Sequence, residues 1–387
     1  MSTQLGLFAT GSAALDAVEL VAEQDFLILN LSGGKDGLRA AVKARDAAVQ
    51  AGVEDRLWTV HASLGPMEWP ACTVGGVRYP SVGELAAEHS RLLGVPPERH
   101  LELRRSRAGV PYDLLTFIAE RGDWPWLGRA RFCTGDWKTK LIYGAFSHMV
   151  REFMKAHGRP ARMLNVLGLR ADESPDRRKR PPLIRTTENT HRIVDEWLPT
   201  HAETTAFVKE WTDAGGWPHH WAYDSVPGAG DWAGSTRCSC SACVFSNHRD
   251  LLLAVARRPR LAALYAEVEY VRGIPFNPNT SITALIEEAA RPGAPDPGVV
   301  LDDDNPDFDA LLTAVRTALT RPRNASRAPE PARAPCRPSA QDATAARWPT
   351  RACSPRSPGL TAAHHLYDRR TDDHGEPTAQ RLPAAAG

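Results

Sequence analysis

The residues Ser32-Gly33-Gly34-Lys35-Asp36-Gly37 carry the plainest chemistry in this 387-residue chain. They follow an apolar run of strand length, Phe26-Leu27-Ile28-Leu29-Asn30-Leu31, and precede a stretch of helical character from Leu38 to Gln50. Strand, glycine turn and helix in succession aim backbone N–H groups and a helix N-terminus at an anion. Gly33 and Gly34 let the backbone close on phosphate oxygens with no Cβ in the way, and Lys35 adds a fixed positive charge. The stretch therefore predicts a nucleotide-phosphate site, although residues of this kind also occur as an ordinary Gly-rich strand–helix turn. It is not a Walker A loop, which needs a Ser or Thr where Asp36 stands.

Further along come Arg131-Phe132-Cys133-Thr134-Gly135-Asp136-Trp137-Lys138 and Gly168-Leu169-Arg170-Ala171-Asp172-Glu173-Ser174-Pro175-Asp176-Arg177-Arg178. A last constellation, Trp217-Pro218-His219-His220-Trp221-Ala222-Tyr223-Asp224, leads into Arg237-Cys238-Ser239-Cys240-Ser241-Ala242-Cys243. Arg170, directly after a strand, could pair bidentately with a phosphate or sulfate group. Glu173 could orient Arg170 or share in magnesium binding. Arg131 and Lys138 could contact a nucleotide or substrate anion, or simply be a charged helix start. Arg178, Lys179 and Arg180 read equally as a solvated basic loop. His61 reads as a satisfied structural histidine, with Glu68 in the loop behind it.

Cys238, Cys240 and Cys243 crowd together, with Cys133 as a remote fourth thiol. Four thiolates suit either a [4Fe–4S] cluster or tetrahedral Zn2+, and spacing does not decide between them or exclude free or redox thiols. Cys72, Cys336 and Cys353 read as uninvolved. An odd total of seven cysteines, clustered locally, is no secreted disulfide framework and points to a reducing, cytoplasmic setting.

Taken in order, these constellations resemble the phosphoadenosine phosphosulfate (PAPS) reductase-like branch of the PP-loop superfamily, over roughly residues 24 to 250. That branch carries a Ser-Gly-Gly-x-Asp-Ser loop, then Arg-x-Cys-Thr-x-x-x-Lys, Gly-x-Arg-x-x-Glu-Ser, and a Pro-x-His-x-x-Tyr segment before a Cys-rich turn. The resemblance implies a Rossmann-like fold and ATP, with Mg2+, split between its α and β phosphates to adenylylate a substrate. It places Ser32, Gly33, Gly34, Lys35, Asp36, Gly37, Lys138, Arg170, Glu173 and Arg177 at the nucleotide, with Lys35, Asp36 and Arg170 catalytic. It favours iron–sulfur over zinc on Cys133, Cys238, Cys240 and Cys243. Gly37 departs from the pattern, which has Ser there.

Sulfonucleotide reductases of this family usually lack the loop Lys and end in a Glu-Cys-Gly tail. Here Lys35 is present, and the tail cysteines sit in Ala-Pro-Cys336-Arg and Arg-Ala-Cys353-Ser. The resemblance therefore implies an ATP pyrophosphatase close to the sulfur-transfer PP-loop proteins, including the one acting in DNA phosphorothioation. A sulfur donor such as a cysteine desulfurase would be its partner. The alternatives are a PAPS or adenylyl-sulfate reductase releasing sulfite, and a non-catalytic nucleotide-sensing regulator.

The elements that must position these groups alternate. Strands are expected at 26–31, 57–61, 100–103 and 162–168, with helices at 13–22, 38–50, 82–93, 112–121 and from Thr139 onward. This predicts an α/β fold, a doubly wound parallel sheet with a Cys-rich α-helical C-terminal extension. Ligands of such sheets bind beyond the strands' carboxyl ends, where both 32–37 and 168–180 would fall. The expected divisions are an N-terminal helix over 1–24, a nucleotide-binding domain over 25–200 and a Cys-rich helical region over 201–290. The Pro/Ala/Arg-rich stretch 291–387 is expected to be mostly disordered, with one short helix at 308–319. A net charge of +1 leaves no broadly basic surface, so direct nucleic-acid binding is unsupported. No apolar stretch is long enough to span a bilayer, and the N-terminus lacks the pattern of a secretory signal.

Overall fold

A computed structural model of the chain describes residues 16–125 and 131–322. Its centre is a six-stranded sheet, mostly parallel and flanked by helices, compatible with a Rossmann-like fold. The strands are β1 (Phe26–Asn30), β2 (Leu57–Ser63), β3 (His100–Arg104), β4 (Ala161–Val166), β5 (Leu183–Glu188) and β6 (Arg192–Trp197). They lie in the order β3-β2-β1-β4-β6-β5, all parallel except β5, which runs antiparallel to β6.

Strand alternation sends successive side chains to opposite faces. Leu27 and Leu29 pack under α1 (Ala17–Ala22) and α2 (Lys35–Ala51), while Ile28 joins Met163 and Val194 on the other face. An unbroken apolar run is what a central parallel strand buried on both faces requires. α3 (Val82–Leu92) starts from a Ser81–Glu84 capping box. α4 (Leu114–Arg121) follows, and the second face is covered by α5 (Lys140–Ala145) and α6 (Ser147–His157). Ahead of α5, Gly135–Thr139 forms a π-helical turn that carries Lys138.

Several boundaries differ from expectation. α2 begins at Lys35 rather than Leu38, because the extended Gly34 serves as its N-cap and the helix takes over inside the loop. α4 starts at Leu114, after Asp113 in extended conformation, rather than at Tyr112. α1 is capped by Asp16, and residues 13–15 lie outside the described residues. The β5–β6 hairpin was not expected. Its charged residues conceal strand periodicity, but Arg185 pairs with Asp195 (2.9 Å) and Arg180 with Glu196, so the buried acids of β6 are matched.

Beyond the sheet, α7 (Thr205–Ala214) packs against α2. A lobe of α8 (His248–Arg257), α9 (Pro259–Arg272), α10 (Ile282–Ala289) and α11 (Pro306–Leu319) shares one apolar cluster with Trp69, Trp124 and Trp221. Residues 291–322 belong to this lobe: α11 is the helix expected at 308–319, and the stretch ahead of it is folded where disorder was expected. Leu301 N–H donates to the Arg257 carbonyl (2.7 Å), Asp303 is buried, and α11 buries Phe308, Leu311 and Val315. Paired side chains rather than apolar periodicity hold the stretch before α11. The tail expectation beyond 322, with Cys336 and Cys353, falls outside the described residues. Among the described residues no helix is long and apolar enough to cross a membrane.

Candidate functional site

β1 is the strand at which the sheet order turns, with β2 on one side and β4 on the other. In open α/β sheets that switch point opens the ligand crevice at the carboxyl ends. The loop after β1 and the loop after β4 meet there, backbone to backbone. A Cβ on Gly168 would stand 2.4 Å from the Asp36 carbonyl, and one on Gly37 would stand 2.9 Å from the Asn30 carbonyl oxygen. Gly33, at φ +66°, passes so near Val82 that a Cβ would lie 2.8 Å from its carbonyl oxygen. Glycine at these positions is a steric requirement, including at Gly37, where the resembled family has Ser.

Lys35 is buried at the first turn of α2, its Nζ 2.9 Å from Asp36 Oδ2 and 5.2 Å from the centre of the Tyr223 ring. Asp36 also meets Arg170, whose Nε lies 2.8 Å from Oδ1. The Arg170 Nη1 donates to both oxygens of Asp172 at 2.8 and 2.9 Å, and Asp172 in turn accepts from the Thr205 backbone N–H at 2.7 Å. Arg170 was expected to offer its fork to a ligand. In the structure the fork is turned to Asp172 and Asp36, so it ties the β1 loop, the β4 loop and α7 together. Glu173 accepts from the Arg170 backbone N–H and contacts Arg177 closely.

Arg177 stands in a crowd of like charge. Burial, then the guanidinium groups of Arg237 and Arg131, push its pKa down to about 10, with Asp36 opposing. Arg131 lies 4.7 Å from the centre of the Phe245 ring, and Arg237 donates to the Phe245 carbonyl at 2.9 Å. The sequence placed Arg237 only as the residue ahead of Cys238, and nothing in its spacing marked it as a neighbour of Arg177.

The cysteine turn is built onto the loop after β2. Ser241 donates from N and Oγ to the Met67 carbonyl (2.9 and 3.2 Å), and Lys138 Nζ donates to Ser239 Oγ (3.2 Å). Cys133, Cys240 and Cys243 act on one another: the Cys240 thiol hydrogen-bonds Cys243, and burial first, then the Cys243 charge, raises Cys133. That bond, aided by Arg237 and the Phe245 N–H against the cost of burial, lowers Cys243 to about 6. Burial pushes the Cys238 thiol up, and the charges acting on it are Glu68, Lys35 and Lys138.

Among the described residues no three His, Cys, Asp or Glu side chains are arranged as ligands of a metal ion. The donor chemistry of Cys133, Cys238, Cys240 and Cys243 suits a soft metal, but the four thiols are not arranged as one shell. Asp36, Asp172 and Glu173 are all engaged by Lys35, Arg170 or Arg177.

His61 is satisfied as expected, Nδ1 against the Leu31 carbonyl (3.0 Å) and Nε2 against Glu68 (3.1 Å). Although burial opposes it, the Glu68 carboxylate raises its pKa. Two further groups were not foreseen as structural determinants. Buried Arg257 donates to the carbonyls of Ala222 (3.1 Å) and Asp224 (2.8 Å). Buried Arg258 joins Asp303 to the Glu68 carbonyl and Ser241 Oγ. Their only sequence signal is an Arg pair at a helix junction before Pro259. A concavity of about 430 Å³ lined by Asp25, Trp58, Arg99 and His157 lies at the amino end of the sheet and includes none of these groups. Neither a scan against protein families nor a search of curated proteins finds a match to this chain.

Proposed function

We propose that this protein is a PP-loop ATP pyrophosphatase of the PAPS reductase-like type, which adenylylates a substrate for sulfur transfer. One arrangement supports the reading above the others. The buried Lys35 ammonium stands at the first turn of a 17-residue helix, behind a glycine loop, at the switch point of the sheet. An ATP-consuming site needs fixed positive charge and backbone donors where pyrophosphate leaves, and groups already in place cost no reorganisation as the charge develops.

In this reading a nucleophilic oxygen of the substrate attacks the α phosphorus, the bond to the bridging oxygen breaks, and pyrophosphate carries the electron pair away. Ser32, Gly33, Gly34 and Lys35 take the β and γ phosphates. Asp36 holds the Lys35 ammonium and Arg170 in register and would be the carboxylate offered to a Mg2+ arriving with the triphosphate. Magnesium, when bound, neutralises phosphate charge. Arg131, Arg177, Arg237 and Lys138 supply the surplus positive charge that an anionic substrate requires. A sulfur donor such as a cysteine desulfurase is the partner this chemistry needs. No step is assigned to a [4Fe–4S] or Zn2+ centre, because the thiols as arranged do not form its shell.

The test is direct: purified protein, ATP, Mg2+ and a sulfur source should yield AMP and pyrophosphate. ADP as the sole product overturns the proposal. Binding of PAPS with thioredoxin-dependent release of sulfite replaces it with the reductase reading.

A further inference from the structure

A second lysine is linked to Lys35 through aromatic rings, from an element that none of the motifs contains. Lys209 lies in the middle of α7, half-buried, with its Nζ 5.3 Å from the centre of the Trp232 ring. The Trp232 ring is 5.2 Å from that of Tyr223, and Tyr223 lies 5.2 Å from Lys35 Nζ. Two ammonium groups thus end a short aromatic bridge, one on each side.

The bridge is held rigidly. Trp232 Nε1 donates to both carboxylate oxygens of Asp213 (3.0 and 2.9 Å), and the His219 ring stacks on it at 4.2 Å. His219 is itself fixed by Asp224 at 3.0 Å. Trp232 adopts φ +53°, a conformation that a bulky side chain takes only when its surroundings demand it. Asp213, one turn beyond Lys209, already serves the indole. Among the described residues no carboxylate stands within ion-pair distance of the Lys209 ammonium. By contrast, Arg39 and Lys43 on the neighbouring face of α2 are both paired with Glu203 (3.1 and 3.0 Å). The ammonium is less basic than an ordinary lysine, through burial first and the charge of Lys35 second, with Asp213 opposing.

We propose that Lys209 is a second phosphate-binding lysine, which with Lys35 selects a ligand carrying more than one phosphate group beyond the nucleoside; this rests on the ATP-site reading above. Lys35 has Asp36 beside it at 2.9 Å whereas Lys209 has no such partner among the described residues, so the charge left for an anion to neutralise is that of Lys209. A single phosphate on the glycine loop satisfies Lys35 alone, whereas a triphosphate or free pyrophosphate extends to Lys209.

Calorimetric titration of wild-type protein, Lys209→Ala, Lys209→Arg and Lys35→Ala with ATP, pyrophosphate and AMP at fixed salt tests this. Lys209→Ala should weaken pyrophosphate and ATP about tenfold, roughly one lost charge contact, and leave AMP within about twofold. Lys209→Arg should recover most of the loss, and its equal thermal midpoint guards against misfolding of the Ala variant. If Lys35→Ala loses pyrophosphate binding but Lys209→Ala retains it, or if Lys209→Ala weakens AMP equally, the role of Lys209 is overturned. If wild-type protein binds no pyrophosphate, or Lys35→Ala binds it unchanged, the phosphate-site reading falls and this inference with it.

Discussion

The glycine loop at 32–37 and the cysteine turn at 238–243 meet: a Cβ on Gly34 would lie 3.8 Å from the Cys238 carbonyl oxygen. The loop is shaped by backbone against backbone, Gly33 on Val82, Gly37 on Asn30 and Gly168 on Asp36, and by its place between a strand and a helix. The turn has neither strand nor helix of its own. Its hydrogen bonds run to the 65–69 segment, and Arg258 fastens both, donating to the Glu68 carbonyl at 2.7 Å and to Ser241 Oγ at 3.0 Å. Arg258 is anchored by Asp303, which lies far along the chain. One side of the site is coded by adjacent residues and the other by a buried ion pair.

The sharpest way to break this comparison is Arg258→Ala. It leaves the Asp303 carboxylate buried without its partner and the turn without its clasp, a loss of about 3–5 kcal/mol. Urea unfolding at neutral pH should show it, and a loss below about 1 kcal/mol would mean the turn is held some other way. Lys35→Ala should behave oppositely. Asp36 keeps Arg170 as a partner, so the fold should survive, while AMP formation falls about 10²–10³-fold, as when one preorganised charge-stabilising group is removed. Quantifying AMP and the unfolding midpoint on the same preparation separates the two effects.

The same contrast explains what could be read from the sequence. The strands β1 to β4, their order of appearance and the loops after β1 and β4 were legible, because short apolar runs, and the glycines after β1 and β4, follow from short-range physics. The β5–β6 hairpin was not, since Arg185 and Asp195 neutralise each other only across the two strands. The folded stretch ahead of α11, residues 291–305, was missed for a related reason, its anchor Asp303 being meaningful only opposite Arg258. Among the site residues, the approach of Lys35, Asp36 and Arg170 was expected. That Arg170 spends its fork on Asp172 depends on contacts that no spacing records.

Gly37 sharpens the comparison from the loop side. Gly37→Ser puts a Cβ 2.9 Å from a backbone oxygen at the end of β1. Neither partner is a flexible side chain, so the start of α2 must shift, at a cost of about 1–3 kcal/mol. The variant should unfold at lower urea and gain no ATP turnover. A more active, equally stable Gly37→Ser would show that the loop is not packed as tightly as its backbone contacts require.

The smallest effect is in the titration of the buried histidines, where the two sides again diverge. On the segment leading to the cysteine turn, burial first and neighbouring positive charges second lower His220 to about 3, while burial lowers His89 to about 4. Above the ordinary value of 6.5 both folded and unfolded chains carry these rings neutral. As pH falls from there, the unfolded chain takes up protons that the folded one refuses, so stability drops until the folded values are reached. His61, beside the glycine loop, has the opposite sign. Its raised pKa adds stability that is complete below 6.5 and disappears as pH rises through the folded value. The thermal midpoint should therefore fall on acidification from 6.5 toward 4. His220→Asn, which keeps an acceptor for the Ala222 N–H, should flatten that limb by up to about 1.4 kcal/mol per pH unit. His61→Gln should leave the acid limb's sign unchanged and remove the loss on the alkaline side. An acid limb that is the same with and without His220 would mean the ring is hydrated, and that the segment behind the cysteine turn is looser than its buried contacts imply.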